Sequence, residues 1–381
     1  MNIEIRNAEF VNKGAELMLH AILQQIDRTL PIGNYCMLPN LVARPYRQLA
    51  PLSLHLKMMP IARFGCQFGG FASIIPARLR EAYGLILDRD LNAVLDASGF
   101  AYGDQFGPAA CQFLAQATKR WRAQGTKVVL LPQAFGPFES AMTRSAMRKV
   151  IDNTDLIYAR ERVSYEHLIR LSGERANIKL CPDFTNLVEG TAPSYLDREK
   201  MGVCIVPNHQ MLVKTSKAEA DAYIPFFAKC VRVLVECGAF PFLLVHEQRN
   251  DGPLAEKIQQ ASGVDIPIVC ESDPLKIKGI LGACHATVGS RFHGLVSALS
   301  QGTPTLGTGW SHKYQMLFED YGVADGLLAV TASEADITTA LRDLLEPSKH
   351  AAYTSRLQER SLLLKEKSRQ MWQDVASVLD V

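Results

Sequence analysis

The chain reads as an α/β protein made of two Rossmann-like doubly wound domains facing a cleft, with C-terminal helices. Three observations predict this. Short apolar runs alternate with helical periodicities over almost the whole length. A stretch containing Gly, Thr, Pro and Ser, residues 189–200, interrupts that alternation midway. The 381 residues exceed one ordinary core and suit two domains of usual size.

In the first half, residues 3–7, 36–38, 94–96, 127–131, 156–158 and 178–180 have the length and composition of strands. In the second half, residues 202–206, 240–246, 266–269, 286–288 and 304–306 do. Helical patterns cover 15–26, 109–124, 141–153, 219–237 and 253–262. Strands that alternate with helices imply parallel sheets covered on both faces. The expected division is a first domain over 1–190 and a second over 200–348, its Rossmann-like half beginning near Met201. A helical segment follows over 349–381. There Leu357, Leu364, Met371, Val375 and Leu379 recur on a charged background, as one or two amphipathic helices require. By analogy with other two-domain folds, such a segment crosses back to the first domain.

Composition excludes several classes. The hydrophobic fraction of 48% with 21% charged residues is that of a globular protein, and a net charge of +2 argues against a general nucleic-acid binder. No run approaches the roughly 20 apolar residues of a membrane span. The opening MNIEIRNAEF reads as an amphipathic strand and not a signal peptide. Nine cysteines at 36, 66, 111, 181, 204, 230, 237, 270 and 284 contain no C-x-x-C pair. That suits reduced thiols in a cytoplasmic protein and argues against a disulfide framework or a zinc site. No cofactor and no metal are expected.

One stretch is unusual. Between Asp27 and Glu81 there is no acidic residue, while Arg28, Arg44, Arg47, Lys57, Arg63, Arg78 and Arg80 are interleaved with Met58, Met59, Ile61, Phe64, Phe68 and Phe71. A greasy anionic partner suits it: a lipid-linked sugar diphosphate, or the inner face of a membrane. A buried strand and loop with arginines reaching to water is the other reading.

The most informative segment is 287–309, TVGSRFHGLVSALSQGTPTLGTG. A strand ends in the turn Gly289-Ser290. Arg291 and His293 then stand at the mouth of a helix over 294–300, which stops at Gly302 before the strand 304–306. Uncapped backbone N–H groups and two cationic or hydrogen-bonding side chains converge there, and a phosphate or carboxylate is the ligand suited to them. Carboxyl ends of parallel strands are where open α/β sheets bind ligands.

Other strand ends in the first half carry polar residues. Asn12-Lys13-Gly14 occupies the first βα turn, where Gly14 permits close backbone approach to an anion. The turn lacks G-x-G-x-x-G and the lysine-containing P-loop, and Glu16 is equally suited to capping its own helix. Asp96 follows one strand, and Asp104 lies in the turn beyond it; each can bind a sugar hydroxyl or take its proton, or simply shape a turn. Gln133 closes the next strand, in Pro132-Gln133-Ala134-Phe135-Gly136-Pro137. Arg160 follows another, with an ion pair to Glu161 or Glu166 as its plain alternative. Across an interdomain cleft, Arg160 is expected to meet Arg291 and His293, which would suit a ligand with two anionic groups. No H-x-x-E, D-x-D or cysteine–histidine pattern points to a metal, and no G-x-S-x-G elbow to acyl transfer.

Asn12-Lys13-Gly14-Ala15-Glu16, Pro132 to Pro137, Ala159-Arg160-Glu161 and above all Ser290-Arg291-Phe292-His293 with its following helix resemble the polysaccharide pyruvyltransferase family over residues 5–325. The resemblance implies GT-B-like architecture and transfer of the enolpyruvyl unit of phosphoenolpyruvate to a sugar, usually as a cyclic ketal. It implies that Arg291 and Arg160 hold the donor's phosphate and carboxylate, with Asn12, Lys13, Gly14, Gln133, Ser290 and Trp310 as further binding residues. His293 is then the acid that protonates the methylene, and Asp96 accepts a hydroxyl proton, with Asp104 in reserve. The acceptor would be a nucleotide-linked or lipid-linked sugar, with the first domain, 1–190, on the acceptor side and the phosphoenolpyruvate site in the second, 200–348. Two departures stand out: N-K-G-A-E where many relatives have a more glycine-rich turn, and Asp96-Ala97-Ser98-Gly99 where a run of glycines is common. Two other readings remain: a GT-B glycosyltransferase or sugar-nucleotide epimerase, with Trp310 stacking on uracil and Glu319 on ribose, and a non-catalytic binding subunit of polysaccharide assembly.

Overall fold

The structure, a computed structural model, describes residues 1–26, 28–58, 62–63, 66–67, 74–197 and 201–379. Asp27 and, from the acid-free stretch, Met59, Ile61, Phe64, Phe68 and Phe71 lie outside the described residues, as do positions 198–200 of the expected linker. The chain forms two compact units, one of residues 1–183 with 369–381 and one of residues 184–368.

In the first unit β1 (Asn2–Arg6) is followed by α1 (Lys13–Ile26), β2 (Asn34–Met37), α2 (Tyr46–Leu49) and β3 (His55–Met58). The short strands β4 (Ala62–Arg63) and β5 (Cys66–Gln67) pair antiparallel with each other. Then come α3 (Ala77–Ala82), β6 (Leu85–Leu87), β7 (Ala93–Asp96), β8 (Phe100–Tyr102), α4 (Pro108–Ala123) and β9 (Lys127–Phe135). The unit continues with α5 (Ala141–Asp152), β10 (Leu156–Ala159), α6 (Arg162–Ser172) and β11 (Ile178–Leu180). The strands form one parallel sheet in the order β11-β10-β9-β7-β1-β2-β3-β6, with β8 beside β9. Ile3, Ile5, Val94, Leu95, Val128, Val129 and Leu130 of the central strands are fully buried, as a sheet covered on both faces demands.

The second unit contains β12 (Val203–Val206), α7 (Gln210–Lys214), α8 (Lys217–Glu236), β13 (Pro241–Val245) and α9 (Gln248–Ser262). It goes on through β14 (Ile268–Cys270), α10 (Pro274–Ala283), β15 (Ala286–Gly289), α11 (Phe292–Leu299), β16 (Thr305–Gly307), α12 (His312–Asp320) and α13 (Glu334–Leu345). Its five parallel strands run in the order β14-β13-β12-β15-β16. A capping box between Ser216 and Glu219 starts α8. One helix, α14 (Pro347–Val378), carries the C-terminal periodicity, and Leu357, Leu364, Met371 and Val375 on it are all buried. Its end belongs to the first unit, where Asp374 Oδ2 accepts from Tyr158 Oη at 2.9 Å and from Lys179 Nζ at 2.7 Å.

The expectation of two Rossmann-like parallel sheets with a C-terminal helical segment therefore holds, with local differences. Strand β3 was not expected, because its pattern is broken by a lysine. Lys57 is buried there between Glu4, to which it is ion-paired, and Asp88, with Nζ 2.9 Å from Asp88 Oδ1. Strand β9 runs four residues beyond the expected 131, through Pro132, which has no N–H for a ladder. A register shift where β10 pairs with it absorbs the irregularity. Helix α9 begins at Gln248 and not at 253, so Pro253 lies in its second turn, where one ladder hydrogen bond is lost. No described helix is long and apolar enough to cross a membrane.

Candidate functional site

Polar side chains collect at the carboxyl ends of the strands in each unit. In the first, the centre is Asp96, fully buried at the end of β7. Its Oδ2 lies 3.1 Å from Arg6 Nε and accepts from Asn7 Nδ2 at 3.0 Å and Tyr102 Oη at 2.9 Å. Its Oδ1 accepts from Ser98 N at 3.1 Å, Ser98 Oγ at 2.5 Å and Gln133 Nε2 at 3.4 Å. Both oxygens are thus engaged, and the half-buried groups of this cluster are Arg6, Asn7 and Ser98, the last two 2.6 Å apart. Asn7 takes the left-handed region, φ 64°, unusual outside glycine, and Gly99 does so at 68°. Burial and the Asp96 charge push the Tyr102 phenol well above its ordinary pKa, so it donates as the neutral form.

Gln133 is fully buried, its Oε1 is without a hydrogen-bond partner among the described residues, and its backbone O accepts from Arg160 N at 3.0 Å. Arg160 is itself buried, with Nη1 3.2 Å from Asp183 Oδ2. Glu161 accepts from Val163 N at 2.6 Å and Ser164 N at 3.0 Å as the N-cap of α6, and Glu166 pairs with Arg162. Asp104 starts α5: it accepts from Glu139 N, from Ser140 N at 3.3 Å and from Thr143 Oγ1 at 2.5 Å. Burial opposes ionisation of Asp104 but is outweighed by those hydrogen bonds, which hold its pKa below the ordinary value. Asn12 caps α1 through Gly14 N at 3.0 Å, while Lys13 Nζ binds Glu16 Oε2 at 2.5 Å and Phe10 O at 3.2 Å.

In the second unit the turn after β15 is clamped from several sides. Ser290 N donates to Val206 O at 3.0 Å, and Ser290 O accepts from Asn208 Nδ2 at 2.9 Å and Tyr314 Oη at 3.1 Å. Ser290 Oγ and Tyr223 Oη share a hydrogen bond of 2.5 Å, and that phenol oxygen also accepts from Asn208 N at 2.7 Å. Arg291 is the N-cap of α11, and its own side chain makes no cap hydrogen bond to the first turn. Its guanidinium is set by the fully buried Asp251, 2.5 Å from Nη2, with Glu247 at 3.6 Å. Asp251 also accepts from His209 N at 3.0 Å. His293 lies in the first turn of α11, half-buried, its ring edge-on to Phe292 at 5.4 Å. Lys313 Nζ stands 4.8 Å from the ring centre of Trp310 and 5.0 Å from that of Phe292, which puts Trp310 beside the same helix start.

The second unit thus brings Ser290, Arg291, His293 and Trp310 together, and the first brings Asp96 and Arg160, at the ends of β7 and β10, beside Gln133, which lies within the intervening β9 and does not close it. Asp104 is held at the start of α5. Arg6, Asn7, Tyr102, Asn208, Tyr223 and Asp251 were not anticipated. Asn7 and Asn208 follow strands and were accessible to the rule that found Arg291. Tyr223 and Asp251 come from helices distant in sequence and carry no local signal. Among the described residues no group of three or more His, Cys, Asp or Glu side chains is placed to hold a metal ion.

Two parallel Rossmann-like sheets with polar residues at the strand carboxyl ends define a class, the GT-B-like α/β proteins. UDP-GlcNAc 2-epimerase from Neisseria meningitidis, solved with UDP-GlcNAc, matches with a TM-score of 0.59 at 11% identity, covering 97% of this chain and 98% of that one. HepE of Anabaena, solved with UDP and glucose, matches with 0.58 at 13% identity, covering 99% of each. At such identities the likeness is one of fold. Within that class the chain belongs to the polysaccharide pyruvyl transferase family, whose model matches residues 12–312. The amylovoran biosynthesis protein AmsJ of Erwinia amylovora is 21% identical over 323 residues, 75% of this chain and 71% of AmsJ.

Proposed function

We propose that the protein transfers the enolpyruvyl unit of phosphoenolpyruvate to a sugar of a polysaccharide or its precursor, as a cyclic ketal, with release of phosphate. The observation that carries the reading is the Ser290-Arg291 turn: a guanidinium oriented by Asp251 at a helix start, in a chain of this family. Arg291 and the first amides of α11 receive an anionic group of the donor, with Ser290 holding the turn and Trp310 walling the pocket. His293 supplies the proton to the methylene carbon, since an imidazole exchanges protons near neutral pH. C2 becomes cationic, one sugar hydroxyl adds to it, phosphate leaves, and the second hydroxyl closes the ketal. One hydroxyl proton ends on the methyl group and the other on the phosphate. In the first unit Arg160 is a further anion-binding residue, and Asn12, Lys13 and Gly14 line an anion-tolerant helix start. Asp96 does not need to meet the sugar directly; it orients Asn7, Ser98 and Gln133, which bind the acceptor hydroxyls.

The test is thermal shift with phosphoenolpyruvate and, separately, UDP-sugars, both with EDTA. A ligand specific to the native state at a hundredfold excess over Kd stabilises by about 2.7 kcal/mol. Stabilisation by phosphoenolpyruvate that disappears in Arg291→Ala supports the reading. A response to UDP-sugars alone assigns a nucleotide-sugar enzyme, and a response to neither assigns a binding subunit.

A further inference from the structure

We propose that the turn at Leu41 and Val42 is a docking tip that seats the protein on an anionic membrane surface. Leu41 is 97% exposed and Val42 76%, and Tyr46, a few residues on, is 60% exposed. Aliphatic side chains on a loose loop can fold back onto the protein, but this turn is pinned. Asn40 Oδ1 accepts from Val42 N at 2.9 Å and Ala43 N at 3.0 Å, and Asn40 and Arg44 form an antiparallel bridge beneath the tip. Phe10 N donates to Ala43 O at 3.0 Å, which ties in the neighbouring loop with its own exposed apolar residue, Val11.

The composition matches a lipid interface rather than a protein partner. Leu and Val enter the acyl boundary, a tyrosine sits at headgroup level, and arginines meet phosphates. Arg44 and Arg47 supply the cations; Glu9 and Glu4 are the carboxylates that act on Arg44, and the sequence holds no acidic residue from 28 to 80. The turn follows the carboxyl end of β2, so it lies at the same edge of the first sheet as Asn7 and Asp96. Docking through this tip turns that edge toward the lipid. The proposal does not depend on pyruvyl transfer.

The test is flotation of the full chain with vesicles of phosphatidylcholine alone and of phosphatidylcholine with phosphatidylglycerol. The chain is expected to float with the anionic vesicles, and Leu41→Asp/Val42→Asp to lower the bound fraction about tenfold at an unchanged melting temperature. Ile32, 96% exposed but at the opposite end of β2, provides the control: Ile32→Asp leaves binding intact. Failure of the wild type to float, or equal loss in the control, overturns the proposal. So does a dimer, seen by light scattering, that Leu41→Asp/Val42→Asp dissociates, because the tip then belongs to a second copy.

Discussion

Arg291 and Asp251 are joined at 2.5 Å through Nη2 and at 2.8 Å through Nε, both to the same carboxylate oxygen, and the Asp251 carboxylate has no exposed surface. A pair of this kind is retained where one partner must be held in a fixed pose, because removing either member strands the other. Asp251→Ala is therefore expected to lower stability by about 3 kcal/mol. Glu247, whose contact is 3.6 Å, should cost less than about 1 kcal/mol when changed to Ala. Urea midpoints of the two variants compare them, and equal losses would mean that Asp251 is not the residue that holds Arg291.

Asn7 combines a left-handed backbone, φ 64°, with a side-chain amide that reaches Asp96, Ser98 and Tyr102. Asn7→Gly removes the amide and keeps the conformation accessible. Asn7→Ala removes the amide and adds the penalty of a Cβ in that region, about 1–2 kcal/mol. The alanine variant should accordingly unfold at the lower urea concentration, and the reverse order would locate the strain elsewhere.

Acid stability should depend on Asp88. Burial works against its charge, but hydrogen bonds and attraction from Arg120 and Lys57 win, and its pKa is lowered to about 2. The unfolded chain takes up this proton near pH 4, the native one near 2, so the stabilisation is complete above pH 4 and is lost as pH falls from about 4 to about 2. The loss amounts to about 2 kcal/mol. In Asp88→Asn the stability curve should be flatter over that window, although lower throughout at neutral pH, since Lys57 and Arg120 lose a partner.

His285 and His350 stack face to face, ring centres 3.9 Å apart, and His350 Nε2 lies 2.9 Å from His285 O. Burial, and then repulsion from His350, lower the pKa of His285. A histidine that resists protonation when folded lets the unfolded chain bind the proton first, so its cost appears as pH falls below the ordinary value near 6.5. The native protein should lose stability between pH 7 and 5, measured by thermal melts, and His350→Gln should lessen the loss. An unchanged slope would remove the pair from the account.

Much of the fold was legible locally. Residues 286–288 and the helix after Arg291 are largely apolar, and a short run of that kind at a Gly-Ser turn has few structures open to it. The strand β3 was not legible, because its interior residue Lys57 signals exposure. Only the carboxylates of Glu4, in β1, and Asp88, next to β6, make a lysine a core residue. Likewise Asp104 and Asp96 look alike in sequence, each in a glycine-rich turn. One receives the amides at the start of α5, and the other receives five hydrogen bonds and the Arg6 ion pair from neighbouring strands and turns.

The sequence by itself determined the class of fold, the family and the residues at strand ends that carry its motif, because periodicity and turn chemistry act over a few neighbours. Tertiary structure decided how those residues are held. Tyr223 and Asp251 reach the Ser290-Arg291 turn from helices tens of residues away, and Asn208 closes it from the turn after the adjacent strand β12. Such contacts depend on parallel strands returning to the same edge, and that return is a property of the assembled sheet, not of any local stretch of chain.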